Sequence, residues 1–382
     1  MRIQEIDKNF SAKSVAISGD EAIYTIPHES FDLYGVFYDE KNGCFSRLHE
    51  EIGKDLRPHL FWLGRCTAGG RLRFSTDSEY FGLEVSYDQI SPMSHMPLSG
   101  SCGITLLLEN EDGTTVRMAS FRPDSKGCES GYVGSARLPS GKMRNYILHF
   151  PLYNHVNSLK ITLSAKARVD HGKSYKSIAP ILYYGSSITQ GGCASRPDNA
   201  YQGLISKWNN VDFINLGFSG NAKAEEEMVD YLSTLDCSLF VCDYDHNASD
   251  VEYLEKTHYR LYERYRAVRK NTPILFLTRT DLFQAERKEL LPSDEKFNVN
   301  RQVDMKNSLA RKEVVYKTYL RAKSLGDDRV YFLDGEELFG TNDVDNCTVD
   351  GCHPNDLGFY RMAEGIYKKM KEMDEVFGSD EK

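Results

Sequence analysis

The sequence predicts an α/β protein with a flavodoxin-like, three-layer α/β/α domain built on a parallel five-stranded sheet. An all-β sandwich of jelly-roll type precedes it. Three observations predict this. Up to about residue 178, short alternating runs are separated by turn signals, with no long helical period between them. From Pro180 onward, continuous apolar strands alternate with amphipathic helical segments, the pattern of a sheet covered on both faces. The chain has 382 residues, too many for one ordinary core. The expected division is residues 1–178 for the sandwich and 179–382 for the α/β domain.

In order, the first half contains the strand-like runs AIYTIP, GVFYD, RLRFST, YFGLEVSYD, GITLLLEN, VRMASFR, NYILHF and SLKITLSAKARV. Lys41-Asn42-Gly43 and Glu111-Asp112-Gly113 mark tight turns among them. Aromatic residues gather here, among them Phe31, Tyr34, Phe37, Tyr38, Phe61 and Trp62. Packing in the sandwich core and rim is their expected use, and a sugar-binding face is the alternative.

In the second half, strands are expected at 181–185, 211–217, 238–244, 273–279 and 329–335. Helices are expected near 200–209, 223–234, 251–270, 303–325 and 356–374. Residues 280–301 have weak periodicity and read as a long loop at a strand's carboxyl end, placed to wall a site. Residues 376–382 are polar and expected to fray.

Composition narrows function. A formal net charge of −9 argues against non-specific binding to nucleic acid or an anionic membrane. No apolar run approaches the length of a membrane span. The opening MRIQEIDKNFSAKS has no secretory apolar core, which predicts a cytoplasmic protein. The nine cysteines are scattered singly without a C-x-x-C pair and read as reduced packing residues. Cys352-His353 is the nearest approach to a zinc spacing, and a lone pair is not a site.

Ile181-Leu182-Tyr183-Tyr184-Gly185-Ser186-Ser187 reads as a buried strand running into a tight turn, with a helix beyond. Strand carboxyl ends are where open α/β sheets carry chemistry. No GK[ST] follows, so the turn is not a phosphate loop, and it is not a G-x-S-x-G elbow. Partners for a serine stand at the ends of later strands: Phe218-Ser219-Gly220-Asn221, Asp245-His246-Asn247 and Asp350-Gly351-Cys352-His353. Acyl transfer needs a nucleophile, a base, a group that orients the base, and oxyanion donors. Ser187 can supply the first, His353 the second and Asp350 the third. The backbone N–H groups of Ser187 and Gly220 and the Asn247 amide can hold the oxyanion.

Gly185-Ser186-Ser187-Ile188, Gly220, Asn247 and Asp350-x-x-His353 follow the order of the four blocks of the SGNH (GDSL-like) hydrolases, which the chain resembles. Gly103-Ile104-Thr105-Leu106-Leu107 and the segment from Tyr146 to Asn154 resemble the β-sandwich that precedes one branch of that family, where the strand reads Gly-x-Asp-Leu-Tyr. The resemblance implies that Ser187, rather than the adjacent Ser186, is the nucleophile. Three departures stand out: Ser186 replaces the family's Asp, Asp245-His246-Asn247-Ala248 replaces Gly-x-Asn-Asp, and the sandwich strand lacks its Asp and Tyr.

The expected function is hydrolysis of short O-acyl esters, acetyl on a carbohydrate above others, with no cofactor and no metal. Substrates would be small molecules or oligosaccharides. The alternatives are an acyltransferase or lipase/thioesterase on the same triad, and a non-catalytic carbohydrate-binding protein. Arg196 is a candidate contact for a substrate hydroxyl or carboxylate, against the alternative of a structural salt bridge. Asp243 and Asp245 lack the third ligand a metal site needs.

Overall fold

The computed structural model describes residue 6 and residues 19–53, 55–90, 92–124, 130–139, 141–280 and 295–373, with backbone alone over 295–304. The first half is a sandwich of two antiparallel sheets. One has the order β1 (Glu21–Ile26), β11 (Ser158–Ser164), β6 (Tyr80–Ser86), β9 (Gly131–Arg137). The other runs β12 (Val169–His171), β5 (Arg71–Thr76), β10 (Arg144–His149), β7 (Ile104–Glu109), β8 (Thr115–Phe121), with β2 (Asp32–Tyr34) also paired to β5. A hairpin of β3 (Phe37–Asp39) and β4 (Cys44–Ser46) stands apart. Strand β11 shows why this half forms a sandwich: Leu159, Ile161 and Leu163 are buried and alternate with half-buried polar neighbours. The buried set meets Phe74, Phe81 and Tyr146 from the other strands in one core.

The second half holds five parallel strands in the order β14 (Phe213–Gly217), β13 (Ile181–Gly185), β15 (Leu239–Asp243), β16 (Ile274–Leu277), β17 (Val330–Leu333). All of β13 is buried. Its Leu182 and Tyr184 join a core on one face, with Leu232 and Tyr265. Its Ile181 and Tyr183 join a core on the other, with Ile205 and Met362. The strand is therefore apolar at every position, as a doubly covered strand requires. This order is the flavodoxin-like one, whose crevice opens between its first and third strands, here β13 and β15.

Nine α-helices lie among the described residues. Three are short and lie in the first half: α1 (Glu50–Gly53), α2 (Pro58–Gly64) and α3 (Leu98–Ser101). The others are α4 (Ser187–Gln190), α5 (Tyr201–Asn209), α6 (Glu226–Thr234), α7 (Val251–Val268), α8 (Glu295–Ser324) and α9 (Asp356–Lys371). No helix among the described residues is long and apolar enough to cross a membrane.

Some details differ from expectation. The run from Ser158 to Val169 is not one strand: it breaks after Ser164 and resumes as β12 in the other sheet. Helix α8 begins at Glu295, inside the segment read as a loop. Glu295-Lys296-Phe297-Asn298-Val299-Asn300 carries no apolar 3.6-residue repeat, so nothing in the sequence marked those turns. Residues 281–294 and the polar tail from 376 lie outside the described residues.

The halves are joined by Arg47, which is 3% exposed. Its guanidinium donates to the carbonyls of Leu63 (2.6 Å), Cys66 (2.6 Å), Asn215 (2.8 Å) and Gly217 (2.8 Å). Burial pulls its pKa down to about 10, so it remains a cation at neutral pH. Glycines allow two closer contacts. A Cβ on Gly100 of α3 would lie 2.0 Å from the Ala194 carbonyl oxygen, and one on Gly69 2.8 Å from Asn215 Cβ.

Candidate active site

Strand β13 ends at Gly185, where a Cβ would sit 2.3 Å from the Asp243 carbonyl oxygen of β15. No other residue lets the two strands approach so closely. The chain then turns into α4, and the two serines separate in role. Ser186 is fully buried and caps the helix, its Oγ accepting from the Ile188 N–H at 3.2 Å. Ser187 is half-exposed at the first helical position, where the backbone N–H has no intrahelical acceptor.

Ser187 Oγ lies 2.9 Å from His353 Nε2, and His353 Nδ1 lies 2.7 Å from Asp350 Oδ2. The loop before α9 builds the second contact locally. Asp350 Oδ1 accepts the backbone N–H groups of Cys352 (3.0 Å) and His353 (2.8 Å), so the carboxylate folds its own turn. Gly351 sits at φ 87° in that turn, a conformation glycine adopts freely. Asn355 anchors the loop by capping α9 at Leu357 and Gly358. Burial alone would raise the Asp350 pKa. Its hydrogen bonds from the His353 backbone and ring and from the Cys352 N–H outweigh that and hold it below the usual carboxylate range.

Gly220 sits at φ 67° with open space where a Cβ would project. Its turn is held in place by Gln190, whose Oε1 accepts the Ser219 N–H at 2.9 Å and whose Nε2 donates to the Leu152 carbonyl at 3.1 Å. Asn247 lies beside the same turn. Its Oδ1 accepts the Ala222 N–H at 3.2 Å, which orients the amide with Nδ2 as the remaining donor. The Ser187 carbonyl is fixed by the N–H groups of Gly191 (3.1 Å) and Gly192 (2.8 Å) and by the Tyr153 hydroxyl (3.3 Å). The turn that carries Ser187 therefore rests partly on the first half of the chain.

Arg196 makes the salt bridge that was its alternative reading. Its guanidinium is taken up by Asp198 (3.1 and 3.2 Å) and Asn199 (2.8 Å) within its own loop. That loop is tied to α9 by Asp356, which accepts from the Ser195 N–H at 2.8 Å and from its hydroxyl. Asp243 is buried and accepts from Thr189 Oγ1 at 3.2 Å, while Asp245 is buried and accepts the Arg279 N–H at 3.1 Å. Both carboxylates serve the scaffold. The eight described cysteines are all free thiols, and seven are buried.

Sequence reasoning passed over several residues here. Tyr153 and Leu152 lie in a segment noted only for its resemblance, and Gln190 belongs to no motif of its own. His95, from a loop of the first half, brings its ring to 5.7 Å from that of His353. A single histidine in Ser94-His95-Met96-Pro97 carries no local signal, since only tertiary docking brings it there.

Residues 178–371 match the GDSL-like lipase/acylhydrolase family, and residues 23–169 match the N-terminal region of SGNH-hydrolase-type esterases. Among solved structures, a protein described as a GDSL-like lipase from Bacteroides ovatus is similar, with 24% identity and a TM-score of 0.78 over 94% of this chain and 98% of its own. A salicylyl-acyltransferase from a tetracycline biosynthetic pathway has 18% identity and a TM-score of 0.73, over 94% and 98% of the two chains. A family two carbohydrate esterase from Cellvibrio japonicus has 12% identity and a TM-score of 0.57, over 93% and 98%. At these identities the likeness is one of fold, and it includes the sandwich as well as the α/β half. No curated protein matches the chain.

Proposed function

Because the chain belongs to the GDSL-like lipase/acylhydrolase family and is a carboxylic ester hydrolase, we propose that it removes short O-acyl groups, acetyl first among them, from a carbohydrate through Ser187, His353 and Asp350. The observation that carries the reading is the unbroken relay from Ser187 Oγ to His353 Nε2 (2.9 Å) and from His353 Nδ1 to Asp350 (2.7 Å).

In this mechanism Ser187 passes its proton to His353 Nε2 as Oγ attacks the ester carbonyl carbon. Asp350 stays ionised, keeps Nδ1 protonated and stabilises the imidazolium. The oxyanion accepts from the backbone N–H groups of Ser187 and Gly220 and from Asn247 Nδ2. Each such donor is worth on the order of 10²–10³ in rate. His353 then gives its proton to the departing alkoxide, leaving an acyl-enzyme. Water enters, yields a proton to His353 and attacks the acyl carbon. Ser187 Oγ leaves and recovers its proton, releasing the acid.

A sugar as the alcohol is supported by Trp62, 53% exposed on helix α2. Arg57 at the start of that helix donates to Asn221 (2.9 and 3.0 Å), the neighbour of Gly220. The indole packs against the His155 ring at 4.5 Å and keeps the rest of its surface open, an apolar face of the kind on which a pyranose stacks.

The test is acetate release from acetylated oligosaccharides by the wild type and by Ser187→Ala. Loss in the variant is expected, and equal rates would end the nucleophile assignment. A p-nitrophenyl ester series addresses the acyl chain: preference for octanoate over acetate would refute the short-acyl reading in favour of a lipase or thioesterase.

A further inference from the structure

Three soft ligands converge where the general base stands. His95, Cys193 and His353 each offer one ligand atom, and the three atoms lie within 4.8 Å of one another. They come from three separate segments: the loop before α3, the loop after the nucleophile helix and the loop before α9. Their meeting is a product of the fold rather than of a local motif. It differs from the Cys352-His353 pair visible in the sequence, because Cys352 Sγ lies toward His246 Nδ1 (4.0 Å).

We propose that His95, Cys193 and His353 form a zinc-type transition-metal site whose occupation switches the hydrolase off. One thiol and two imidazoles suit a borderline metal such as zinc, and no hard oxygen ligand is among them. Tetrahedral zinc, with bonds of about 2.0–2.1 Å to nitrogen and about 2.3 Å to sulfur, places ligand atoms about 3.3–3.6 Å apart. The cluster therefore has to contract by no more than about 1.5 Å, taking that spacing from its 4.8 Å limit. His95 is exposed and can make that movement by side-chain rotation. Three protein ligands leave a fourth position for water, so the ion would exchange with solvent.

Asp350 supplies the outer-shell partner that metal-bound histidines usually have. It already holds His353 Nδ1 at 2.7 Å, which leaves Nε2 for the metal. Cys193 is the remaining ligand. Its backbone is held at φ 76°, unusual for a residue with a side chain, and its thiol is buried beside the catalytic loop. Zinc takes a cysteine as its thiolate, so binding would release the Cys193 proton to solvent. The consequence for activity rests on the esterase mechanism above: a metal on His353 Nε2 occupies the lone pair that takes the Ser187 proton.

The test uses chelator-treated full-length protein. Cobalt(II), a spectroscopic substitute for zinc, is titrated in first, and one equivalent should produce a thiolate-to-cobalt charge-transfer band that zinc then displaces. Cys193→Ala should lose the band, and His95→Ala should bind at least tenfold more weakly, the smallest loss expected when even an outer-shell partner is removed. In ester hydrolysis, zinc should inhibit the wild type reversibly, with chelator restoring the rate. Both variants should keep their metal-free activity and need at least tenfold more zinc for the same inhibition. No charge-transfer band, or equal zinc sensitivity in wild type and both variants, would overturn the proposal. The cobalt spectrum does not depend on turnover, so a chain that cleaves no ester would refute the esterase reading and leave the metal test intact.

Discussion

Replacing Asp350 with Asn tests the relay with the least disturbance. The amide has the shape of the carboxylate, and its oxygen can still accept the backbone N–H groups of Cys352 and His353, now at 3.0 and 2.8 Å. Its NH₂ would stand where Oδ2 now lies, 2.7 Å from His353 Nδ1. A donor there makes Nδ1 the acceptor and moves the ring proton to Nε2, the atom facing Ser187 Oγ at 2.9 Å. That tautomer cannot take the serine proton. In a buried triad the wrong tautomer costs about 10⁴ in kcat. The Asp350 side chain is 38% exposed, so water shares in stabilising the imidazolium. The expected loss is therefore smaller, about 10²–10³ in kcat, or about 3–4 kcal/mol of transition-state stabilisation, with little change in KM. Initial rates with a p-nitrophenyl ester measure it, and thermal unfolding checks that the turn survives. A folded Asp350→Asn enzyme within a factor of about three of wild type would refute the orienting role.

Three further outcomes follow from the structure. Arg47→Met should lower the denaturant midpoint by the equivalent of about 3–5 kcal/mol, because it strips a charged donor from four buried carbonyls; a change below about 1 kcal/mol would show that water replaces it. Gly217→Ala should cost about 1–3 kcal/mol and lower kcat as well, since its Cβ would meet the Gln190 backbone nitrogen at 2.1 Å; Gly220→Ala, at φ 67° beside open space, should cost only about 1–2 kcal/mol, and the reverse ranking in thermal unfolding would contradict the packing. His149 and His258 are fully buried, and burial lowers both to about 3. Their unfolded values are near 6.5, so the stability tied to their neutral forms is complete above that pH and is lost as pH falls toward 3. Near pH 5 the two together should cost on the order of 4 kcal/mol, and denaturant curves at neutral pH and at pH 5 that coincide would refute the burial of neutral rings.

The parts of this protein that were legible in its sequence are those where chemistry sits on a regular element. Gly185, Gly217 and Asp243 end strands whose apolar runs are unmistakable, so the residues after them fall on one rim by topology alone. Asp350 and His353 are three apart in one turn, and their contact is local. The choice between Ser186 and Ser187 was harder, because both occupy the same turn. The fold separates them by giving one to the helix cap. Arg196 could not be assigned from sequence, since its partners Asp198 and Asn199 are near neighbours whose side-chain directions depend on the path of the loop. Arg47 and Tyr153 were invisible as supports of the site, and His95 as a neighbour of His353. Each reaches it only when the sandwich docks, and no periodicity records a contact across that many residues.

The Arg47 junction has a consequence for how such a chain tolerates recombination. The guanidinium recognises four main-chain oxygens and, among the described residues, pairs with no acidic side chain. It reads the course of the backbone at Leu63, Cys66, Asn215 and Gly217 rather than any motif of side chains. A hydrolase half of quite different sequence, with a second strand following the same path, would present the same two carbonyls. A sandwich exchanged between such proteins would find its arginine's partners already in place. Compatibility between the halves is set by backbone trajectory, which drifts far more slowly than the residues that trace it.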